Sequence, residues 1–195
     1  FGGRLHLPEI LELVEVAHVL RGRHDAVLVG IGTVLTDAPL LTCRLGLDRP
    51  EQGCWQPMRV ILDSQARTPL DAPLWTAESG GPITVIVSSE APIERVKALK
   101  DKGAEIVNLV PVRGRLAVPD VLQALVKLGV LSLYVEGGAE VLGSFIDAYM
   151  VDRAYVFVAP KIVGGRDGVT AVRGRGVERV SESQELRVMR VRRLG

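Results

Sequence analysis

The stretch that decides the fold is Asp25-Ala26-Val27-Leu28-Val29-Gly30-Ile31, one acid followed by an unbroken apolar run. A strand with one wet face alternates apolar and polar residues, whereas a continuous run needs cover on both faces. That pattern marks a parallel sheet between helices. Similar runs occur at 58–62, 83–88 and 131–135, and further strands are expected over 104–109 and 153–159. Helices are expected between them: 8–21, opened by Pro8 and stopped by Gly22; about 93–102, ending at Gly103; 119–128, ending at Gly129; and roughly 139–149. Pro in a first turn and Gly just past the last one are the usual helix boundaries. Segments of this length suit crossovers between parallel strands. Residues 44–57, with Gly46, Pro50, Gly53 and Pro57, read as a surface loop, and 185–192 as a late antiparallel strand with one exposed face. The expected class is α/β, a mixed, mainly parallel sheet flanked by helices, in one domain over 1–195.

Composition agrees. The 195 residues are 47% hydrophobic with only 4% aromatic, so Val, Leu, Ile and Ala must build the core. Lys plus Arg (24) nearly balances Asp plus Glu (23), which suggests neither a nucleic-acid nor a membrane partner. From Lys161 onward, nine Lys/Arg stand against four Asp/Glu, but no aromatic is interleaved for base stacking, so a solvated face is expected. No apolar stretch nears the ~20 residues of a membrane span. Cys43 and Cys54 form no CxxC, and His6, His18 and His24 fit no ligand spacing. Two reduced thiols, no metal and a cytoplasmic location are the expectation.

Three glycine clusters sit where strands end. Gly30-Ile31-Gly32-Thr33 is not the dinucleotide fingerprint, because Leu35 stands where GxGxxG needs its third glycine. It reads as a turn whose loop carries Thr33 and Asp37. Glu136-Gly137-Gly138 closes the next such strand and opens a helix, where free backbone N–H groups attract phosphate. A carboxylate such as Glu136 at a strand end needs a partner. Gly164-Gly165 alone reads as a loop. In a parallel sheet Gly32, Ser64, Ser88 and Gly138 share one edge, where open α/β sheets bind ligands. No Ser-His-Asp order, nucleophile elbow or reactive cysteine is present, which suits chemistry borne by a cofactor.

The run from Leu20-Arg21 through Asp25-Ala26-Val27-Leu28-Val29-Gly30-Ile31-Gly32-Thr33-Val34-Leu35-Thr36-Asp37 to Leu41-Thr42-Cys43-Arg44 resembles the pyrimidine reductases of riboflavin biosynthesis. Arg59-Val60-Ile61-Leu62-Asp63-Ser64, Val135-Glu136-Gly137-Gly138-Ala139-Glu140-Val141-Leu142, Val151-Asp152-Arg153 and Ala159-Pro160-Lys161-Ile162-Val163-Gly164-Gly165 match that family in order. The resemblance implies a dihydrofolate-reductase-like fold that binds NADPH. It implies reduction of the ribose of a ribosylaminopyrimidine 5′-phosphate to a ribityl chain, with hydride delivered to C1′. Cofactor contacts carried over are Gly32, Thr33, Asp37, Gly137, Gly138, Ala139, Glu140, Val141, Leu142 and Ser144. Ser64, Arg67 and Ser88 are candidates for the adenosine side. Substrate contacts are Arg21, Leu41, Arg44 and Glu136, the arginines suiting phosphate. Asp37 and Glu136 are the two candidate catalytic acids. A homodimer is also implied.

Departures from the family pattern are Ala38, where a second aspartate is usual, and Leu5 and Leu7, where a Ser-x-Trp is common. The family's first strand would precede Phe1, and the final strand is expected to be cut short. The motif of the zinc deaminase that accompanies some members is not in these residues. Both the diamino and the deaminated pyrimidine are open as substrates. Two alternatives are a reductase of the same fold acting on another small carbonyl or imine, and a non-catalytic nucleotide-binding module.

Overall fold

The computed structural model describes residues 7–45, 55–159, 162, 168 and 170–193. The helix α1 (Leu7–Arg21) leads into β1 (Ala26–Gly30), followed at once by a short helix α2 (Ile31–Asp37). Then come β2 (Met58–Leu62), β3 (Ile83–Ser88), α3 (Ile93–Asp101), β4 (Glu105–Leu109), α4 (Val118–Lys127), β5 (Leu133–Gly137) and α5 (Ala139–Asp147). The five strands lie in the order β4-β3-β2-β1-β5. Every pairing among them is parallel.

The apolar run at 26–29 divides its side chains between two cores, as a strand's two-residue period requires. Val27 and Val29 join Ile61, Val85, Val87 and Leu99 on one face. Ala26 and Leu28 join Val60, Ile86, Val121, Leu125 and Phe145 on the other. All five β1 residues are buried. The helices α3 and α4 therefore cover opposite faces, and the sheet is the filling of a three-layer α/β/α domain.

β1 lies between β2 and β5, so the strand order turns back there. The chain runs outward from β1 through β2 and β3 to β4 and then crosses back past β1 to reach β5, and open α/β sheets bind ligands beyond the carboxyl ends of strands at such a reversal. Gly30 pairs with Leu62, and Val29 with Gly137, so the glycine-bearing strand ends are level.

β5 begins two residues later than the pattern suggests, because the amides before it are already used. Asp25 Oδ2 accepts from Leu131 N (3.0 Å), Ser132 N (2.8 Å) and Ser132 Oγ (3.0 Å). These bonds, that from Leu131 first, hold the Asp25 carboxyl below the usual carboxylate range. A depressed carboxylate contributes stability above its unfolded-state value and loses it as pH falls through the folded one. Asp25→Asn is thus expected to cost about 1 kcal/mol at pH 7. The difference from wild type should shrink below about pH 4. Urea titrations at both pH values check this, and an equal gap at both would assign the loss to packing.

Four expectations are corrected. The loop expected after β1 is a helix, α2, in which Ile31 and Val34 are buried. Gly32 therefore sits in a helix and not in a tight turn. Residues 153–159 form no strand, and Val156 and Val158 are 76% and 87% exposed. Residues 185–192 form none either, with Val188 and Val191 similarly exposed. Alternation places side chains, but a strand also needs a partner for its backbone groups, and among the described residues none pairs with these segments. The antiparallel component of the expected mixed sheet is thus not found there. Cys43 is disulfide-bonded, which corrects the expectation of a reduced thiol. Most of the 44–57 loop, Leu5 and the Lys161 and Gly164-Gly165 motif residues lie outside the described residues.

Candidate active site

The two glycine motifs meet at the carboxyl ends of β1 and β5. A Cβ on Gly137 would come 3.4 Å from Thr33 Oγ1, and one on Gly138 would come 3.5 Å from it. The Thr33 hydroxyl of α2 thus faces the turn that opens α5. Gly138 has φ +84°, a backbone that L side chains rarely adopt. Gly30 passes so close to α5 that a Cβ there would stand 2.7 Å from Val141 Cγ2. Thr33 and Asp37, four residues apart on α2, share one side of that helix. Asp37 is exposed, and no partner engages it among the described residues.

The start of α5 carries no side-chain cap. Its first amides are therefore available to an anion, with the helix dipole favouring negative charge. The cradle of Thr33, Gly137 and Gly138 fits a pyrophosphate on the chemistry of its donors. Glu140, in the first turn, is 3.9 Å from both Arg115 and Arg173, pairs exposed enough to contribute little. Gly143 is needed because the backbone oxygen of Arg173 occupies the place of its Cβ. Ser144 Oγ donates to Glu140 O (2.8 Å) within the helix. Ala139, Val141 and Leu142 complete the first turns of α5.

On the neighbouring strand ends, Ser88 N donates to Ser64 O (3.0 Å), which sets the two serines side by side. Ser88 Oγ accepts from Glu90 N (3.0 Å), so this hydroxyl closes its own turn. Asp63, wholly buried, accepts from Thr68 N and Thr68 Oγ1, both 2.7 Å, through Oδ2. Arg95 donates to Ala66 O (3.0 Å) and Thr68 O (2.9 Å). Together they shape the turn that presents Ser64 and the exposed Arg67. Asp63, a motif residue to which the sequence assigns no role, holds this turn through Thr68.

A second cluster lies on the α1 side. Arg21 Nε and Nη2 donate to Glu136 Oε1 and Oε2, both at 2.6 Å, a bidentate pair with side chains 15% and 13% exposed. Arg21 Nη1 donates to Thr42 O (3.0 Å). Glu136 therefore has the partner a strand-end carboxylate needs, and Arg21 is occupied by it. Tyr134, two residues earlier on the same face of β5, has its hydroxyl pushed up to about 12 by burial and then by Glu136. It stacks on His24 at 5.5 Å. Leu41 is buried with φ +56°, a tight bend that turns the chain back toward α1. Gln56 holds Cys43 from the other side, accepting from its N (3.0 Å) and donating to its O (2.7 Å).

Arg44 is exposed, and among the described residues no carboxylate pairs with it. Behind it stands His18, 5% exposed, which spacing alone did not single out. Its Nε2 is 3.3 Å from Arg44 Nε, and its Nδ1 is 3.1 Å from Thr42 O. Its position one turn before Arg21 on α1 was the available signal. The structure thus joins Arg21 to Glu136 and Arg44 to His18, and sets Thr33 against Gly137 and Gly138, while Leu41, expected at the substrate, is buried in the core.

The profile of the RibD C-terminal domain family matches residues 11–195. The chain is 38% identical over 178 residues to the 2,5-diamino-6-ribosylamino-4(3H)-pyrimidinone 5′-phosphate reductase of Methanothermobacter thermautotrophicus, covering 91% of this chain and 79% of that protein. It is 37% identical over 181 residues to the riboflavin biosynthesis protein RibD of Aquifex aeolicus, covering 93% of this chain and 47% of that one. It spans about half the length of the bacterial RibD relatives it matches. Among solved structures, Acinetobacter baumannii RibD aligns over 93% of this chain and 47% of its own, with a TM-score of 0.73 at 23% identity. The fold is that of the dihydrofolate-reductase-like reductase domains. The chain belongs to the RibD C-terminal domain family.

Proposed function

We propose that residues 1–195 form one reductase domain of riboflavin biosynthesis, which uses NADPH to convert the ribose of a ribosylaminopyrimidine 5′-phosphate to the ribityl form. The observation that carries this reading is that two clusters gather at the carboxyl ends of β1 and β5. One is a glycine cradle with a hydroxyl at an uncapped helix start. The other is an arginine–carboxylate pair with a second arginine, Arg44, that no carboxylate engages among the described residues.

In this reading Gly137, Gly138 and the first amides of α5 hold the cofactor pyrophosphate, and Gly32, Thr33 and Asp37 flank it from α2. Ser64, Arg67 and Ser88 take the adenosine end. When bound, the nicotinamide supplies a hydride to C1′ of the opened imine form of the sugar. The chain's own contribution is orientation. Arg21 aligns Glu136, whose lone pairs accept from the hydroxyls of the substrate. Arg44 binds the 5′-phosphate, which a guanidinium can grip with two parallel hydrogen bonds. Leu41, buried in the core at the bend, supports the segment that carries Arg44.

No helix among the described residues is long and apolar enough to cross a membrane. We place the enzyme in the cytoplasm as a homodimer, a reading supported by the exposed Tyr155, Phe157 and Val158 and by Leu186, Val188 and Met189. Purified protein incubated with NADPH and either the diamino or the deaminated pyrimidine is expected to lose reduced-nicotinamide absorbance only when substrate is added. Absence of that loss with both pyrimidines would overturn the reading. Which pyrimidine is consumed faster settles the substrate.

A further inference from the structure

His18 is buried between two arginines that the proposed site uses. Its Nδ1 lies 3.1 Å from both Thr42 O and Arg44 N, and its Nε2 lies 3.3 Å from Arg44 Nε. A neutral imidazole has one N–H and one lone pair. Arg44 places a donor at each ring nitrogen, its backbone N at Nδ1 and its Nε at Nε2, and a neutral imidazole can accept only one of them. The Nδ1–H tautomer makes two of the three contacts, donating to Thr42 O and accepting from Arg44 Nε, whereas the Nε2–H tautomer makes only the one from Arg44 N. That carbonyl also accepts from Arg21 Nη1 (3.0 Å), so one oxygen joins both α1 side chains to the 41–44 segment.

We propose that His18 is a positioning residue for the substrate's anionic end: as the Nδ1–H tautomer, it holds the Arg44 guanidinium through Nε2 and leaves the terminal nitrogens of Arg44 to a phosphate. This rests on the function proposed above and goes beyond its list of contacts. Two features make the arrangement sensitive to acid. A protonated Nε2 would point a donor at the donor of Arg44. The charged groups facing His18 are also both cations, Arg21 from its own helix and Arg44 from the segment packed against it, while Glu136 on β5 is occupied by Arg21. Burial first, and then these two arginines, lower the His18 imidazole below its ordinary value. Loss of Arg44 alignment is therefore expected on the acid side of about pH 6.5.

His18→Asn keeps a donor near the Nδ1 position but loses the acceptor for Arg44. It should raise the pyrimidine KM about tenfold, the effect of one hydrogen bond to a charged group, with kcat within about twofold and the NADPH KM unmoved. His18→Gln, whose amide oxygen can reach the Nε2 position, should restore much of the KM. It should also abolish the rise in KM that wild type shows as pH falls through the imidazole titration. Because the substrate phosphate titrates in the same range, only the difference between wild type and His18→Gln is diagnostic. Nitrogen-15 NMR of the wild-type protein without substrate should show the Nδ1–H tautomer, and Arg44→Ala should shift the titration to higher pH. The Nε2–H tautomer, a titration unmoved by Arg44→Ala, or His18→Asn with an unchanged pyrimidine KM would each overturn the inference. A wild-type enzyme silent toward both pyrimidines would overturn the proposed function instead, since the NMR result needs no turnover.

Discussion

Glu136→Gln is expected to lower kcat/KM for the pyrimidine by roughly 150-fold, the equivalent of about 3 kcal/mol. The pair it breaks is bidentate, 2.6 Å at both contacts, and has side chains only 13–15% exposed. A glutamine amide offers Arg21 one oxygen and turns a donor toward its other nitrogen. The guanidinium is left charged, largely buried and half satisfied. Removing one member of a buried pair costs more than the pair contributes, because the remaining charge has lost its water as well as its partner. Arg21→Lys should not rescue the geometry, since an ammonium cannot span both carboxylate oxygens. Both variants should bind NADPH as wild type does. Turnover within about threefold of wild type in Glu136→Gln would show that the pair is structural and that substrate does not meet this carboxylate.

Gly138→Val should weaken NADPH binding by about 30-fold, roughly 2 kcal/mol, while the pyrimidine side of the site stays assembled. At φ +84° a side chain strains the backbone whatever space surrounds it. Here the space is also limited, with Thr33 Oγ1 3.5 Å and Val141 Cγ2 3.6 Å from the Cβ position. Relief of that strain moves the first amides of α5, the groups assigned to the pyrophosphate. Gly138→Ala should fall between valine and wild type. Calorimetric titration with NADPH, beside a melting curve, separates lost binding from lost folding. An unchanged Kd with a lowered Tm would move the pyrophosphate away from this turn.

Most of the sheet was legible because burial on both faces leaves a mark in one dimension. Val27 and Val29 belong to one core and Ala26 and Leu28 to the other, and only an unbroken apolar run can serve both. The crossovers α3 and α4 were legible at their ends, where Gly103 and Gly129 take the positive φ that stops a helix. The reading failed where the outcome depends on a distant partner. Ile31 to Asp37 looked like a glycine turn, yet Ile31 and Val34 bury against the core and draw the segment into a helix. Residues 153–159 and 185–192 alternate like strands, yet no strand among the described residues pairs with them.

The candidate site divides in the same way. The glycine motifs alone named Thr33, Asp37, Glu136, Gly137 and Gly138, because a glycine at a strand end with an acid or hydroxyl beside it stands out in one dimension, whereas Arg21 and Arg44 entered only through the family resemblance. Sequence by itself determined the α/β class, the sheet edge at which the glycine-bearing strand ends gather and the residue types available there. Tertiary structure alone decided the pairings: Arg21 with Glu136, 115 positions apart, and His18 with Arg44, 26 apart. The reason is physical. Backbone period and helix stops are local properties written in neighbouring residues, whereas an ion pair or a shared carbonyl exists only once the chain has brought distant charges within hydrogen-bond reach.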